Sequence, residues 1–483
     1  MSHADIGVAG LAVMGENLAV NMMQHGFTVA VYNRSVDKVD AFVANRCKNL
    51  AVVPSHSVKQ FVESLSLPRK IFMMVKAGHA VDASIDAFLP FLSPGDILID
   101  GGNSNYQDTR RRFDELAHKG IRYIGCGVSG GEEGALNGPS LMPGGDYSAW
   151  PVVEPILSAI SAKAHDGAPC CAWTGSDGAG HFVKMVHNGI EYGDMQILCE
   201  SWQLMRSSLG LDVPATAEIF GKWNEGRLES YLVSITADIL AFKDEDGTCL
   251  VEKILDSAGQ KGTGKWTVIN SLDFAVSTSL IAEAVFARIV SSGKELRNRA
   301  SKLFPKGDGY VGSGVTISID DLETALFTAK VISYAQGFQL LTAANTEFNW
   351  EMDMGSIASL WRGGCIIRSA FLDKIMDAYS LNPGLEHLLF DEYFASVIAS
   401  GHGALRRVCA HAALAEIPVS SLSGALSWLD AFRSEHLPAN LLQAQRDYFG
   451  AHGYERTDRP RGEVFHTNWT GHGGTTAASS YTL

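Results

Sequence analysis

Residues 5–32 read DIGVAGLAVMGENLAVNMMQHGFTVAVY and contain two short apolar segments separated by a glycine-containing turn and a helical segment. The run 5–9 predicts a buried strand, and GLAVMG at 10–15 predicts a tight turn into a helix. Gly26 ends that helix, and 27–32 predicts a second strand. A strand, a helix and a second strand in this order indicate an α/β domain that begins with a βαβ unit.

The turn has the features of a dinucleotide-binding site. Gly10 permits the tight turn, Ala12 lets the backbone approach phosphates, and Gly15 lets helix and strand pack closely. The N-terminus of the helix then presents N–H groups to a pyrophosphate. Glycine-rich turns are common, and the strand–helix context makes this one specific. We therefore expect cofactor contacts along the whole turn, at Gly10, Leu11, Ala12, Val13, Met14 and Gly15.

The residues after the second predicted strand indicate which dinucleotide binds. An NAD site usually has an acidic residue there for the ribose 2′-OH, but this chain has Asn33, Arg34 and Ser35. No carboxylate repels a 2′-phosphate, and a guanidinium with a hydroxyl can hold one. The alternative is a solvated surface arginine. We predict NADP as the cofactor, held in part by these three residues.

Two further apolar segments, 70–75 and 96–100, predict buried strands that end in glycine-containing turns. Ligands of α/β sheets bind at the carboxyl ends of strands. Candidates to contact cofactor or substrate are therefore Val75, Lys76, Ala77 and Asn103.

A strand predicted over 123–128 leads into Ser129, Gly130 and Gly131, whose backbone N–H groups can bind an anion. The alternative is a plain tight turn. Residues 172–175 are predicted as the last strand of this domain.

Residues 178–196 predict a helix with a polar stripe. Lys184, His187, Asn188, Glu191 and Tyr192 stand at relative positions 0, 3, 4, 7 and 8, which share one helix face. Lys184 and Glu191 are about 10 Å apart along the axis, so a molecule of about six carbons could touch both. Such a stripe lines either a cleft or a fully satisfied buried network. We favour a reacting site.

The chain from 178 to about 437 shows helical patterns without strands, over 178–209, 213–221, 227–241, 248–258, 278–303, 317–349 and 355–379, with more to about 433. IFGKWNEG at 219–226 matches IASLWRGG at 357–364 at Ile, Trp and the final Gly. This match predicts duplicated helical half-domains. Upstream, Ile190-Glu-Tyr192 parallels Ile332-Ser-Tyr334, and this second match places Leu326 and Ser333 where the first copy has Lys184 and Glu191.

Two further segments of the helical region carry cations. QKGTGKWT at 260–267 predicts a loop suited to a phosphate, although the P-loop spacing is absent. Arg288 is one cation on an apolar helical segment, and its alternative is a snorkelled surface arginine.

The C-terminal segment 437–483 is rich in Gly, Thr and Ser but contains Phe465 and Trp469, which predict that it packs on something such as a second subunit. We predict three regions: an α/β domain over 1–177, an all-helical domain over 178–436, and this tail.

Composition narrows the functional classes. The chain has 483 residues, enough for two or three domains, and a formal net charge of −14, which argues against non-specific nucleic-acid binding. The eight cysteines have no regular spacing, and no metal-binding motif occurs. No signal peptide or apolar run long enough for a membrane span is visible. These observations predict a cytoplasmic protein without a metal, with no nucleic-acid or membrane partner.

With these motifs, the chain resembles the NADP-dependent, decarboxylating 6-phosphogluconate dehydrogenase family over essentially its whole length. The motifs that carry the resemblance occur in the family's order: GLAVMG at 10–15, NRS at 33–35, VKAG at 75–78, DGGNS at 100–104, GVSGGEEGA at 127–135, KMVHNGIEYGDMQ at 184–196, QKGTGKWT at 260–267, WRGGCIIRS at 361–369, QAQRDYFGAH at 443–452 and HTNWTG at 466–471. The resemblance implies a Rossmann domain, a large all-α domain and a tail exchanged between the subunits of a homodimer.

The resemblance also implies residue roles. Lys184 would be the general base and Glu191 the general acid, in a reaction that converts 6-phosphogluconate to ribulose 5-phosphate and carbon dioxide in the pentose phosphate pathway. The carboxylate and hydroxyl end of the substrate would be held by Asn103, Ser129, Gly130, Gly131, His187 and Asn188. Its phosphate would be held by Tyr192, Lys261, Thr263 and Arg288, with Arg446 and His452 of the other subunit.

Two rival functions remain at this point. A β-hydroxyacid dehydrogenase such as 3-hydroxyisobutyrate dehydrogenase would share the glycine-rich turn, the Ser–Gly loop and the lysine. The duplicated helical region and the 260–267 segment favour the phosphosugar enzyme. A non-catalytic NADP sensor would be expected to lack Lys184 or Glu191, and both are present.

Overall fold

The computed structural model describes residues 3–307, 315–474 and 476. The described chain divides into two compact units, residues 1–426 and 427–483. The first unit begins with a seven-stranded sheet in the order β3-β2-β1-β4-β5-β6-β7. Its strands are β1 (Ile6–Ala9), β2 (Val29–Tyr32), β3 (Val52–Ser55), β4 (Lys70–Met73), β5 (Ile97–Asp100), β6 (Arg122–Ser129) and β7 (Ser140–Gly145).

The first six strands are parallel, and β7 pairs antiparallel with β6. Strands β1, β4 and β5 are buried at every position, as apolar strands covered on both faces should be. The helices that belong to this sheet are α1 (Val13–Gln24), α2 (Val36–Arg46), α3 (Val58–Glu63), α4 (His79–Phe88), α5 (Tyr106–Ala117), α6 (Gly131–Asn137) and α7 (Trp150–Ile160).

The remainder of the described chain is helical. Its helices are α8 (Ala179–Ser207), α9 (Val213–Trp223), α10 (Tyr231–Ala241), α11 (Thr263–Asp273), α12 (Ser279–Ser292), α13 (Lys294–Leu303), α14 (Ile319–Phe348), α15 (Met354–Leu360), α16 (Leu372–Leu381), α17 (Glu392–Leu414), α18 (Ser420–Phe432) and α19 (Ala439–Gly450). A Rossmann-type sheet followed by a large all-helical region confirms the predicted fold class.

The helix order supports the predicted duplication. Helix α8 has 29 residues and α14 has 30, and each is followed by a short helix. Trp223 is the last residue of α9, and Trp361 directly follows α15.

Three of the strand predictions were incomplete or wrong. Strands β3 and β7 were missed because each contains a proline, Pro54 and Pro143, which argues against a central strand. Both lie at the edges of the sheet, where a missing N–H is tolerated. Residues 172–175 are not a strand. Thr174 N–H donates to the Pro143 carbonyl oxygen of β7 at 2.9 Å, and isolated bridges to β7 flank the segment at Cys171 and Ser176, but no ladder forms over 172–175.

Several helix predictions also need correction. Over 248–258 the structure has only a 3₁₀ turn, Leu250–Lys253, because Ile254 and Leu255 are 60% and 65% exposed and have no core to pack on. The segment predicted over 278–303 breaks at Gly293, and the one over 355–379 is irregular between α15 and α16. The predicted loop 260–267 becomes helical at Thr263, after Gly262 adopts a left-handed conformation.

The unit 427–483 contains α19 and a short antiparallel pairing in which Tyr454 and Phe465 exchange two backbone hydrogen bonds of 2.8 Å. Trp469 Nε1 donates to Asp447 Oδ2 at 2.8 Å. The tail therefore has its own hydrogen-bonded structure.

Candidate active site

A cleft of about 450 Å³ lies at the carboxyl ends of β1, β2 and β4. Strand order reverses there, with β2 on one side of β1 and β4 on the other, which is where α/β sheets bind nucleotides. Gly10 has φ +101°, and a Cβ on it would lie 2.4 Å from the Met74 carbonyl oxygen. Only glycine therefore fits this turn. Leu11 N–H donates to Asn33 Oδ1 at 3.1 Å, which ties the turn to the end of β2.

Most of the predicted cofactor residues line this cleft, namely Gly10, Leu11, Ala12, Asn33, Arg34, Ser35, Val75 and Lys76. Val13, Met14 and Gly15 form the first turn of α1, Ala77 follows Lys76, and Asn103 is exposed after β5.

The sequence analysis missed Lys38, which lies one turn into α2 and lines the same cleft. The cleft thus has three cations, Arg34, Lys38 and Lys76, and none of the described residues that line it is Asp or Glu. This charge pattern fits a dinucleotide with an additional phosphate. The spacing of Lys38 from Ser35 at the helix start was a signal that could have identified it.

The polar stripe of α8 lies against the end of β6. A Cβ on Gly127 would lie 2.5 Å from Lys184 Cβ, so glycine at this position lets the helix approach the strand. Ser129 Oγ, at the end of β6, is 3.1 Å from His187 Nε2. Gly130 and Gly131, both with positive φ, continue from Ser129 into α6.

His187 is the centre of a buried hydrogen-bonded group. Its Nδ1 is 2.9 Å from Asn188 Oδ1 and 3.3 Å from Lys184 Nζ. Its Nε2 is 2.8 Å from Cys365 Sγ as well as close to Ser129. These contacts fit a neutral imidazole that donates from Nδ1 and accepts at Nε2. Burial and the neighbouring Lys184 hold the pKa of His187 well below its usual value.

Cys365 was not predicted as a site residue, although it lies within the WRGGCIIRS motif. It is buried, and burial raises its pKa to about 12, so it remains a thiol. Only the tertiary contact between α8 and the segment after α15 reveals its place beside His187.

Burial shifts the pKa values of the two predicted proton-transfer groups in opposite directions. It lowers the pKa of Lys184, against the opposing effect of Glu191. It raises the pKa of Glu191, against the opposing effects of Lys184 and Arg288. Glu191 Oε2 lies 3.9 Å from His187 Nδ1, and its side chain is 23% exposed. Burial thus favours the neutral form of the Lys184 amine and the protonated form of the Glu191 carboxyl, and the two groups lie on the same helix face.

Cations gather at the other end of the stripe. The Arg288 guanidinium lies 3.5 Å from the centre of the Tyr192 ring. A Cβ on Gly264 would lie 2.5 Å from that ring, so the start of α11 packs against Tyr192. Thr263 is buried there, and Lys261 is exposed just before it. Arg446 and His452 belong to the unit 427–483.

Within the described ranges, no three His, Cys, Asp or Glu side chains form a group that could hold a metal ion. No helix in the described part of the chain is long and apolar enough to cross a membrane.

Two family models match the chain. The NAD binding domain of 6-phosphogluconate dehydrogenase matches residues 5–175, and its C-terminal domain matches 180–469. A curated Haemophilus ducreyi protein, "6-phosphogluconate dehydrogenase, decarboxylating", is 56% identical over 477 residues, which cover 99% of each chain. The Homo sapiens protein of that name is 54% identical over 482 residues, with complete coverage of both chains.

A solved Plasmodium falciparum 6-phosphogluconate dehydrogenase is 43% identical, with a TM-score of 0.93 over 96% of this chain and 100% of that one. Its description includes complexes with NADP+ and with 6-phosphogluconate. Both halves of the chain therefore match the same family, and the chain belongs to the decarboxylating 6-phosphogluconate dehydrogenases.

Proposed function

We propose that this protein oxidises and decarboxylates 6-phosphogluconate to ribulose 5-phosphate and carbon dioxide while reducing NADP+. The observation that carries the proposal is the stripe on α8. It runs from a buried lysine beside Ser129 and His187 to a tyrosine covered by Arg288. Its length suits a phosphorylated six-carbon acid. Family membership supports the same reaction.

In the oxidation step, Lys184 acts as the general base. Its lowered pKa lets it take the proton of the C3 hydroxyl. NADP+, when bound, supplies the hydride acceptor. Ser129 and the neutral His187 hold the carboxylate and hydroxyl end of the substrate, together with Asn103, Gly130, Gly131 and Asn188.

In the second step, the β-keto acid loses carbon dioxide. Lys184, now protonated, stabilises the enolate oxygen. Glu191 delivers a proton to C1 of the enediol left by decarboxylation, and its raised pKa favours the protonated form that this step needs. The Lys184 ammonium and the hydrogen bonds stabilise the negative charge of the enolate, so no metal is assigned to the reaction. Extensive dialysis against EDTA should leave the rate unchanged, and a rate restored only by added metal would contradict this part.

The phosphate would be bound by Tyr192, Lys261, Thr263 and Arg288, with Arg446 and His452 supplied by a second subunit. Exposed apolar side chains on α11 and α12 support a homodimer: they are Ile269, Leu272, Phe286, Ile289 and Val290, between 46% and 74% exposed. The proposed regions are the NADP-binding domain 1–177, the substrate and dimerisation domain 178–436, and the exchanged tail 437–483.

A cytoplasmic location is part of the proposal. All eight cysteines are free, and seven of them are buried. Reduced thiols are typical of a reducing compartment.

One assay tests the reaction. Protein, NADP+ and 6-phosphogluconate are mixed, and reduced nicotinamide and carbon dioxide are measured together. We expect equal amounts of both. Reduction without carbon dioxide would contradict the decarboxylation, and no reduction would contradict the enzyme.

The cofactor assignment is tested by Arg34→Ala. Loss of a charged partner of the 2′-phosphate should raise the KM for NADP+ about tenfold or more and change kcat little. Arg111→Ala, an exposed arginine outside the cleft, is the matched control. An unchanged NADP+ KM in the Arg34 variant would contradict the assigned role.

A further inference from the structure

Asp447 is the hydrogen-bonding centre of the unit 427–483. Its carboxylate lies on α19 and is fully buried. Oδ1 accepts from Gly453 N–H at 2.9 Å and from His466 Nδ1 at 2.8 Å. Oδ2 accepts from Thr467 N–H at 3.0 Å and from Trp469 Nε1 at 2.8 Å. One side chain therefore joins three segments: the helix, the chain just after it, and residues 466–469.

Asp447 also accepts hydrogen bonds from the two residues on either side of His452. The Asp447 carbonyl oxygen accepts from Ala451 N–H at 2.9 Å, and its carboxylate accepts from Gly453 N–H. Both neighbours of His452 are thus hydrogen-bonded to Asp447. Arg446 is the residue directly before Asp447 on α19.

Arg446 is held by a second contact in the same group. Its Nη1 donates to Gln443 Oε1 at 3.1 Å, and the Gln443 amide donates to the Gly453 carbonyl oxygen. The Arg446 side chain is therefore linked, through Gln443, to the turn of the chain that contains His452.

We propose that Asp447 is a positioning residue that holds Arg446 and His452 in the arrangement needed to bind the substrate phosphate. This inference rests on the proposed function, which assigns those two side chains to the phosphate. Asp447 itself has no access to substrate, because its carboxylate is buried and fully used by internal donors.

The chemistry of the site requires a carboxylate. Four N–H donors converge on two oxygens, and an ionised carboxylate has about four acceptor sites and no donor. An asparagine amide would keep one oxygen but turn its NH₂ group toward two N–H donors. Burial raises the pKa of Asp447, yet the hydrogen bonds from Thr467, His466, Trp469 and Gly453 bring it down to about 2. The group is therefore ionised throughout the working range of pH.

The test compares Asp447→Asn with Asp458→Asn, in the full-length protein. Asp458 is an exposed carboxylate of the same tail that pairs with Arg456, which makes it a matched control. For each variant, kcat and the KM values for 6-phosphogluconate and NADP+ are measured. The inhibition constant of unphosphorylated gluconate is measured as well. Arg446→Ala is included to test the phosphate role directly.

We expect Asp447→Asn to raise the KM for 6-phosphogluconate about tenfold or more, as loss of a charge-assisted phosphate contact does. The NADP+ KM and the gluconate inhibition constant should stay within about twofold. Hydrogen exchange should show lost protection at residues 451–453 and 466–469. Asp458→Asn should change none of these.

The outcomes separate the two proposals. If Arg446→Ala raises the 6-phosphogluconate KM and Asp447→Asn does not, the positioning role is wrong and the tail assignment stands. If Asp447→Asn weakens the binding of gluconate and of NADP+ as much as that of 6-phosphogluconate, its effect is a general loss of structure. The positioning role is then also wrong. If Arg446→Ala leaves the KM for 6-phosphogluconate unchanged, the tail does not bind the phosphate. The tail assignment and the positioning role of Asp447 are then both wrong.

Discussion

Helices α8 and α14 are nearly equal in length and both largely buried, yet they use polar residues differently. They pack closely: a Cβ on Gly193 would lie 2.7 Å from Ser333 Oγ, and one on Gly337 would lie 2.6 Å from Ile190 Cδ1. In α8, Lys184 has a histidine as its neighbour and no carboxylate in salt-bridge range among the described residues.

In α14, Lys330 and Tyr334 have partners on neighbouring elements. Lys330 pairs with Asp194 of α8, and both are almost fully buried. Tyr334 OH donates to the Ile367 carbonyl oxygen at 2.6 Å. The duplication predicted from the sequence pairs Leu326 with Lys184 and Ser333 with Glu191.

The two helices thus separate paired buried charges from a buried lysine that has no such pair. A partner within the chain offsets the cost of burying a charge, whereas a buried lysine with no carboxylate in salt-bridge range raises the free energy of the empty protein. That cost is explained if the missing partner is the substrate. Substitutions in the two helices, and the pH dependence of the rate, test this distinction.

Lys184→Met should lower kcat about 10³-fold or more, because the general base and the enolate-stabilising cation are removed together. Thermal stability should hold or rise, since a buried unpaired amine is replaced by an apolar side chain of similar length. Steady-state kinetics and thermal denaturation check both. If the variant kept kcat within tenfold of that of the unmodified protein, Lys184 would have a structural role, as the buried lysine of α14 does.

Lys330→Met should act on stability instead. Removing one partner leaves Asp194 buried and unpaired, which costs about 3–5 kcal/mol of the free energy of unfolding. Activity per folded molecule should change little. The double variant Lys330→Met with Asp194→Asn should recover part of the loss, because no charge remains. A large loss of kcat in the folded single variant would contradict the division between the two helices.

Glu191→Gln should lower kcat about 10²-fold, because an amide can donate a hydrogen bond but cannot deliver a proton to C1. The KM for NADP+ should not change. Rapid mixing should still show fast formation of reduced nicotinamide before the slow release of product. Loss of that first phase would assign Glu191 to the oxidation step.

The pH profile of kcat/KM, which reports the pKa values of groups in the free enzyme, should be bell-shaped. Lys184 must be neutral, and its pKa is lowered, so the rate falls when pH drops below that value. Glu191 must be protonated, and its pKa is raised, so the rate falls when pH rises above that value. In Glu191→Gln the acidic limb should remain and the alkaline limb should disappear. A persisting alkaline limb would mean that another group is the acid.

Sequence reasoning succeeded where chemistry is local. The Gly10–Gly15 turn and the α8 stripe depend on neighbours a few residues away, and their periodicity is visible in the chain itself. It failed at the edge strands β3 and β7 and at 248–258, because pairing across a sheet and the presence of a packing surface are not local properties.

Glycine positions and helical spacing are local features of the chain, and they were enough to predict the α/β then all-helical order, the NADP-type loop and the residues of the α8 stripe. Folding was needed to bring Cys365 to His187, to place Lys38 in the cofactor cleft and to direct four donors to Asp447. These contacts join residues far apart in the chain. Their energies come from burial and hydrogen-bond geometry, which exist only once the chain has folded.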